Sequence, residues 1–314
     1  MKKIKYILLG LLGIFGLLFF WGLLEPYLID TEEEVAEIPG LPASWEGQRV
    51  ALIADWQIGM WMDNTSTIRR IVKQLIEERP AIVLIAGDFI YDPGKDPSEE
   101  INKAVEIVRS LTIAGIPTYA VLGNHDYAMK NNHAPPNKQL ARQLHKALES
   151  VGVQVLQNEA VAISKSALKA TAPFENRNQT AANTEVNAPL YLVGIGAHWS
   201  NNDKPKVALA PVPDGAARLV MMHNPDSFEA LPPGTAPLAV AGHTHGGQIR
   251  VPFTPEWSWL TFIREDEVHA DGWIKGYGQS GNRLYVNRGI GFSIVPIRLN
   301  CPPEVTLFTL RSPL

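Results

Sequence analysis

Val50-Ala51-Leu52-Ile53-Ala54, closing on Asp55-Trp56-Gln57, and Ile82-Val83-Leu84-Ile85-Ala86, closing on Gly87-Asp88, are apolar runs of strand length that end in polar side chains. Between them, Thr65 to Glu78 sets Ile68, Ile71, Val72, Leu75 and Ile76 at helical spacing behind Thr65 or Ser66 as a cap. The order is strand, helix, strand. It repeats with Pro97 to Ser110 as helix and Thr118 to Leu122 as strand, closing on Gly123-Asn124-His125-Asp126. A further helix is expected over Lys138 to Ser150, then short strands at Val153 to Leu156 and Ala160 to Ile163.

Downstream the chain turns strand-dense: Leu190 to Gly194, Arg218 to Met222, Leu238 to Ala241, Leu284 to Val286 and Val305 to Leu310. Buried strands alternating with helices, followed by strand-rich segments, predict an α/β domain whose sheets lie between helical layers. Ser164 to Asn187 has almost no large apolar side chains and reads as a flexible insert at 164–189.

Composition narrows the function. The 314 residues are 46% hydrophobic and 19% charged with a net charge of -4, ordinary globular material without the basic footprint of a nucleic-acid binder. Cys301 is the only cysteine, which excludes an intrachain disulfide framework and a thiolate-based structural zinc site. Tyr6 to Leu24 is uncharged, apolar and long enough to cross a bilayer as a helix. Lys2, Lys3 and Lys5 precede it, so the positive-inside tendency assigns 1–5 to the cytoplasm and the rest to the extracytoplasmic side of a single-pass protein. No small-x-small cleavage site follows the run directly, which favours a retained anchor over a cleaved signal. The acidic stretch after it, ending in Pro39-Gly40-Leu41-Pro42, reads as a tether over 25–44 that leads to a catalytic domain over 45–314.

The polar strand exits form a series: Asp55-Trp56-Gln57, Gly87-Asp88, Gly123-Asn124-His125-Asp126, His223-Asn224 and Gly242-His243-Thr244-His245. Singly each has an ordinary reading, Asp88 as a helix cap, Asn124 as a left-handed turn, His223 as a turn start. As a series after successive apolar strands they converge, because loops at the carboxyl edge of such sheets meet around ligands. Two imidazoles one residue apart on the glycine-flanked turn Gly242 to Gly247 are free to aim at one centre.

The ordered set resembles the calcineurin-like metallophosphoesterases over roughly Leu41 to Leu314. His223-Asn224-Pro225-Asp226, Gly242-His243-Thr244-His245-Gly246-Gly247-Gln248-Ile249 and Asn287-Arg288-Gly289 through Cys301-Pro302-Pro303-Glu304 are similar to its membrane-anchored or exported bacterial branch. The resemblance implies a four-layer α-β-β-α sandwich and two divalent cations. One would be held by Asp55, Gln57, Asp88 and His245, the other by Asp88, Asn124, His223 and His243, with Asp88 shared. Mixed nitrogen and oxygen donors suit manganese, iron, zinc, cobalt or nickel rather than calcium. His125 would act on the phosphoryl group or leaving oxygen, with Asp126 orienting its ring. Gln57 stands where most of the family has histidine; its amide oxygen is a harder, weaker donor, which moves the preference toward manganese or magnesium.

Arg250 and Arg288 are candidates for contacting substrate phosphate, His198 and Trp199 for lining the cleft, and Trp257, Trp259, Leu260 and Phe262 for an acyl-binding or membrane-facing lip. The expected activity is hydrolysis of a phosphodiester or diphosphate near the membrane, lipid- or nucleotide-linked. The alternatives are a phosphomonoesterase and a non-catalytic binding protein with a degraded metal site.

Overall fold

The computed structural model describes residues 2–91, 93–94, 96–164, 188–251, 258 and 270–313. Much of the expected insert (165–187) and the aromatic stretch at 257, 259, 260 and 262 lie outside them.

Two six-stranded sheets face each other. The first runs β1 (Asp30–Glu37), β12 (Glu304–Arg311), β2 (Arg49–Ile53), β3 (Ile82–Ile85), β4 (Thr118–Ala120), β5 (Val153–Val155). From β2 to β5 every pair is parallel, while β12 is antiparallel to β2. The second runs β10 (Gly272–Ile274), β11 (Leu284–Val286), β9 (Ala239–Ala241), β8 (Arg218–Met221), β7 (Leu190–Gly194), β6 (Glu159–Ile163).

Successive side chains of a strand point to opposite faces, and here both faces are covered. Ala51, Ile53, Val83 and Ile85 pack under the helices α2 (Thr65–Glu78), α3 (Ser98–Ile113) and α4 (Lys138–Glu149). Their neighbours Val50, Leu52, Ile82 and Leu84 face the second sheet, meeting Leu192, Leu219, Val240 and Tyr285. That two-sided burial is why these strands read as unbroken apolar runs. The second sheet's outer face carries Val193, Val220 and Ala239 against Ala208 and Leu209 of the short helix α5 (Pro205–Leu209) and against Phe228. The layers are therefore helix, sheet, sheet, helix, with a thin second helical layer.

The N-terminal apolar helix α1 (Lys2–Leu24) is exposed along almost its whole length, and only Gly22 is buried. It is long and apolar enough to cross a membrane. The segment after it is not a free tether, contrary to the expectation for 25–44. Glu25 begins a 3-10 turn and is buried, its carboxylate taking the backbone N–H groups of Asn300 (2.9 Å) and Cys301. Asp30–Glu37 then forms β1, a parallel edge strand in register from Asp30↔Glu304 to Glu37↔Arg311. Ladder hydrogen bonds to β12 supply the order that β1's own side chains lack, and its acidic groups have a partner: Arg288 bonds Asp30 at 2.8 Å and Glu32 at 2.9 Å.

Candidate metal centre

The carboxyl ends of β2, β3, β4, β8 and β9 deliver Asp55, Asp88, Asn124, His223 and His243 to one place. Backbone hydrogen bonds tie the exits together: Asp55 N–H donates to the Gly87 carbonyl at 3.0 Å, Gly242 N–H to the His223 carbonyl at 3.0 Å, and Gly291 N–H to the Asp55 carbonyl at 2.7 Å. Asp55, Gln57, Asp88, His243 and His245 all sit at φ between 51° and 75°. Left-handed backbone at non-glycine residues costs on the order of 1–3 kcal/mol each and clusters where function over-determines it. The approach is tight enough to require glycine at Gly123, where a Cβ would lie 2.1 Å from Asp88 Oδ1.

The side chains at the centre turn mostly acceptor oxygens and imidazole nitrogens toward one shared space. His223 Nδ1 lies 2.7 Å from the Ala86 carbonyl, an acceptor only, so Nδ1 carries a proton and Nε2 is the atom turned to the centre. Nε2 faces Asn124 Oδ1 at 3.1 Å, Asp88 Oδ2 at 3.2 Å and His243 Nδ1 at 3.3 Å. The Asn124 amide nitrogen is already committed to the Met129 carbonyl, so its oxygen must be the atom turned inward. Donor atoms of Asp88, His223 and His243 lie within 4.8 Å of one another. Acceptors gathered around a shared space suit a metal ion or, failing that, a proton.

The electrostatics say the same. Burial pushes the Asp55 carboxyl up to about 7. Asp88 is equally buried, yet His223 and His125 hold it below the usual carboxylate range. Burial disfavours charge on His223, but Asp88 beside it raises the imidazole to about 9, so a proton stands where a cation would serve better.

On the other side of Asp88, Gln57 Nε2 donates to Asp88 Oδ2 at 2.9 Å and lies 3.3 Å from His245 Nε2. Gln57 Oε1 and His245 Nδ1 are buried without a hydrogen-bond partner among the described residues. A half-turn of the amide exchanges its oxygen and nitrogen with little other movement, and then an oxygen faces Asp88 and His245. The residues fit a metal here as well, although His245 Nε2 stands 3.9 Å from Asp55 Oδ1, a looser grouping than the first. Burial and the nearby Arg298 hold His245 well below its ordinary value, which keeps its nitrogens available as ligands.

Residues 48–247 match the calcineurin-like phosphoesterase family. The chain belongs to that family. The phosphodiesterase YaeI of Escherichia coli K12 is 31% identical over 238 residues, covering 75% of this chain and 72% of the relative. The uncharacterized metallophosphoesterase YkuE of Bacillus subtilis 168 is 22% identical over 92% of this chain and 88% of its own. The UDP-2,3-diacylglucosamine pyrophosphatase LpxG of Chlamydia muridarum is 26% identical over 90% of each chain. The protein is thus a hydrolase of phosphoester bonds in a family that binds divalent metals.

Within this family member the site departs from the sequence reading at three residues. Asp126 does not orient His125. Its carboxylate is fully buried and accepts N–H groups from Gly123 (2.9 Å), Asp88 (3.0 Å), Phe89 (2.9 Å) and Ile90 (3.3 Å), clamping the β3 and β4 exits together. The His125 ring is instead positioned by Tyr91, whose carbonyl takes the Nδ1 proton at 2.9 Å and whose ring stacks on it at 4.8 Å. Arg250 and Arg288 are spent on ion pairs. Arg250 holds Asp271 at 2.7 Å and the Gly246 carbonyl. Arg288 gathers Asp30, Glu32, Asp271 and the buried Glu304.

His198 pairs with Asp203 at 2.6 Å, and the Trp199 ring meets His243 edge-on at 4.7 Å, so this loop borders the centre. Sequence reasoning missed Tyr91, three residues beyond Asp88 with nothing in its own neighbourhood to mark it. It also missed Arg298, fully buried, which donates to the carbonyls of Arg288, Gly289, Gly291 and Cys301 and so braces the loop against Asp55.

Proposed function

We propose that the chain is a dinuclear phosphodiesterase or diphosphatase acting on a substrate presented at a membrane. The observation that carries this is the buried convergence of Asp88, His223 and His243, whose donor atoms lie within 4.8 Å of one another with the Asn124 oxygen 3.1 Å from His223 Nε2. Asp88, Asn124, His223 and His243 would hold one cation, and Asp55, Gln57, Asp88 and His245 the other, with manganese first and iron, zinc, nickel or magnesium also suited to the donors. Two such ions, when bound, would stabilise the oxygens of an in-line phosphoryl displacement and lower the pKa of bound water so that hydroxide is supplied at neutral pH.

The chain's own groups then do the rest. The Tyr91 carbonyl takes the His125 Nδ1 proton, so Nε2, when it carries a second proton, would donate it to a phosphoryl oxygen or hand it to the leaving oxygen. Asp126 and Gly123 fix the Asp88 turn so that its carboxylate stays shared between both ligand sets. Diester or diphosphate chemistry is supported by the printed activities of YaeI and LpxG, and a lipid-linked substrate by LpxG and by α1. The burial of Gly22 and Glu25 in the catalytic domain supports a retained anchor, since cleavage after Leu24 would cut through a packed junction. The lysines before α1 support an extracytoplasmic domain.

The test is a manganese-loaded, full-length protein in detergent assayed on an aryl phosphodiester, the matching monoester and a diphosphate-linked nucleotide. Metal-stimulated cleavage of the diester or diphosphate above the monoester is expected. Faster monoester cleavage would make it a phosphomonoesterase, and no cleavage with no bound metal would make it a binding protein.

A further inference from the structure

The rim of the site carries large apolar side chains that the hydrolytic chemistry does not use. Trp61, four residues beyond Gln57, is 69% exposed, and Ile294 is 56% exposed. They belong together, since the Trp61 indole N–H reaches the Ile294 carbonyl at 3.5 Å. Ile294 has φ 64°, a conformation that a β-branched residue adopts only when its surroundings impose it. Those surroundings start at the metal centre: Gln248, three residues past His245, bonds the Ser293 N–H through Oε1 and the Ser293 and Val295 carbonyls through Nε2. The centre's own loop thus holds an aliphatic side chain out into solvent.

The same loop is welded to α1. Arg298 N–H donates to the Gly22 carbonyl at 3.0 Å, and a Cβ on Gly22 would lie 2.6 Å from Ile297 Cγ2. Trp21 Nε1 donates to the Glu25 carboxylate at 2.6 Å, and Asn300 N–H bonds the same carboxylate. From Tyr6 to Leu24 the uncharged helix rises about 27 Å, close to the thickness of the hydrocarbon core, and Gly22 lies in its last turn. Gly22 and the Ile297 side chain packed on it therefore lie at the core boundary, and Ile294, three residues from Ile297, lies within about 11 Å of it along the chain. That is the depth range of the interfacial layer, where Trp is enriched and an exposed Ile can reach the acyl boundary.

We propose that the Trp61 and Ile294 rim docks into the interfacial layer of the bilayer that α1 crosses, so that the mouth of the metal centre opens at the lipid surface and takes amphiphilic phosphoesters from it. The orientation is set by the rigid junction at Gly22, Glu25 and Arg298 and needs no further partner.

The test uses the full chain in liposomes, with cysteine introduced as Trp61→Cys, Ile294→Cys, Phe15→Cys or Ile113→Cys and labelled with a fluorophore; Cys301 is buried. Ile113 is 74% exposed at the end of α3, which leads into β4 at the sheet edge opposite the metal centre. Nitroxide lipids are expected to quench labels at 61, 294 and 15 several-fold more than at 113. Equal quenching at 61, 294 and 113, with 15 still quenched, overturns the proposal; loss of quenching at 15 overturns it through the anchor it requires.

A second arm rests on the phosphoesterase reading: Trp61→Asp and Ile294→Asp should lower kcat/KM for a bilayer-embedded phosphoester by about tenfold while leaving a soluble aryl phosphodiester unchanged. An equal loss on both substrates contradicts the rim's role. Absence of soluble cleavage by the parent protein would instead refute the phosphoesterase reading, with quenching still deciding the rim.

Discussion

Replacing Asp126 by asparagine separates two roles for this carboxylate. If it orients His125, the variant should fold normally, keep its metal and lose turnover. The geometry predicts otherwise. Oδ2 accepts the Asp88 and Gly123 N–H groups and Oδ1 accepts those of Phe89 and Ile90, all in a fully buried setting. Whichever oxygen becomes an NH2 group, two buried backbone donors then face a donor. Each such orphan costs about 1–3 kcal/mol, so the loss should be roughly 2–6 kcal/mol, a large part of a typical domain's stability. For a domain of this size that is a fall of roughly 5–15 °C in the unfolding midpoint. Because the clamped turn carries Asp88, which the proposed function shares between two cations, metal content should fall with it. Thermal unfolding of the full-length protein in detergent and elemental analysis measure the two together. An Asp126→Asn protein with an unchanged midpoint and full metal content but impaired turnover would refute the clamp.

Chelation should abolish activity and a divalent cation restore it; His223→Ala should leave less than the parent's metal stoichiometry and lower turnover by at least about 100-fold, read by elemental analysis beside kinetics. Gln57→His supplies a nitrogen donor beside His245 and Asp88, and zinc should bind more tightly to this variant than to the parent in a competition titration. Arg288→Ala leaves the fully buried Glu304 carboxylate without its cation, with only the Tyr285 and Thr306 hydroxyls and the residue 288 N–H to bond it, and should cost up to about 3 kcal/mol in urea unfolding, while KM for a soluble substrate stays constant. The Asp203 hydrogen bond raises His198 above its ordinary value, so its contribution is complete below about pH 6.5 and disappears as pH rises through the raised value. With the ring 42% exposed, screening limits this to about 0.5 kcal/mol; His198→Gln should destabilise at about pH 5.5 and be neutral at about pH 9.

How much of the fold was legible in the sequence depended on where each residue's partners lie. β2 and β3 are buried on both faces, so their burial is written locally as unbroken apolar runs, and the groups that end them are the groups that meet. β1 has the opposite character: its carboxylates stand on both faces, Glu32, Glu33 and Glu34 in succession, and its order comes from β12 and Arg288, more than 250 residues away in the chain. No local pattern distinguishes such an edge strand from a linker.

Adjacency misled at Asp126. His125–Tyr127 is a 3-10 turn, in which successive side chains diverge by about 120°, so the residue beside His125 points into the clamp and away from its ring. Tyr91 and Arg298 act through backbone carbonyls, His125 against the first and the 288–301 loop around the second, and any sequence can offer a carbonyl. The polar side chains that converge at the centre were therefore readable from the strand exits, whereas the groups that hold them in place became visible only once the backbone had folded around them.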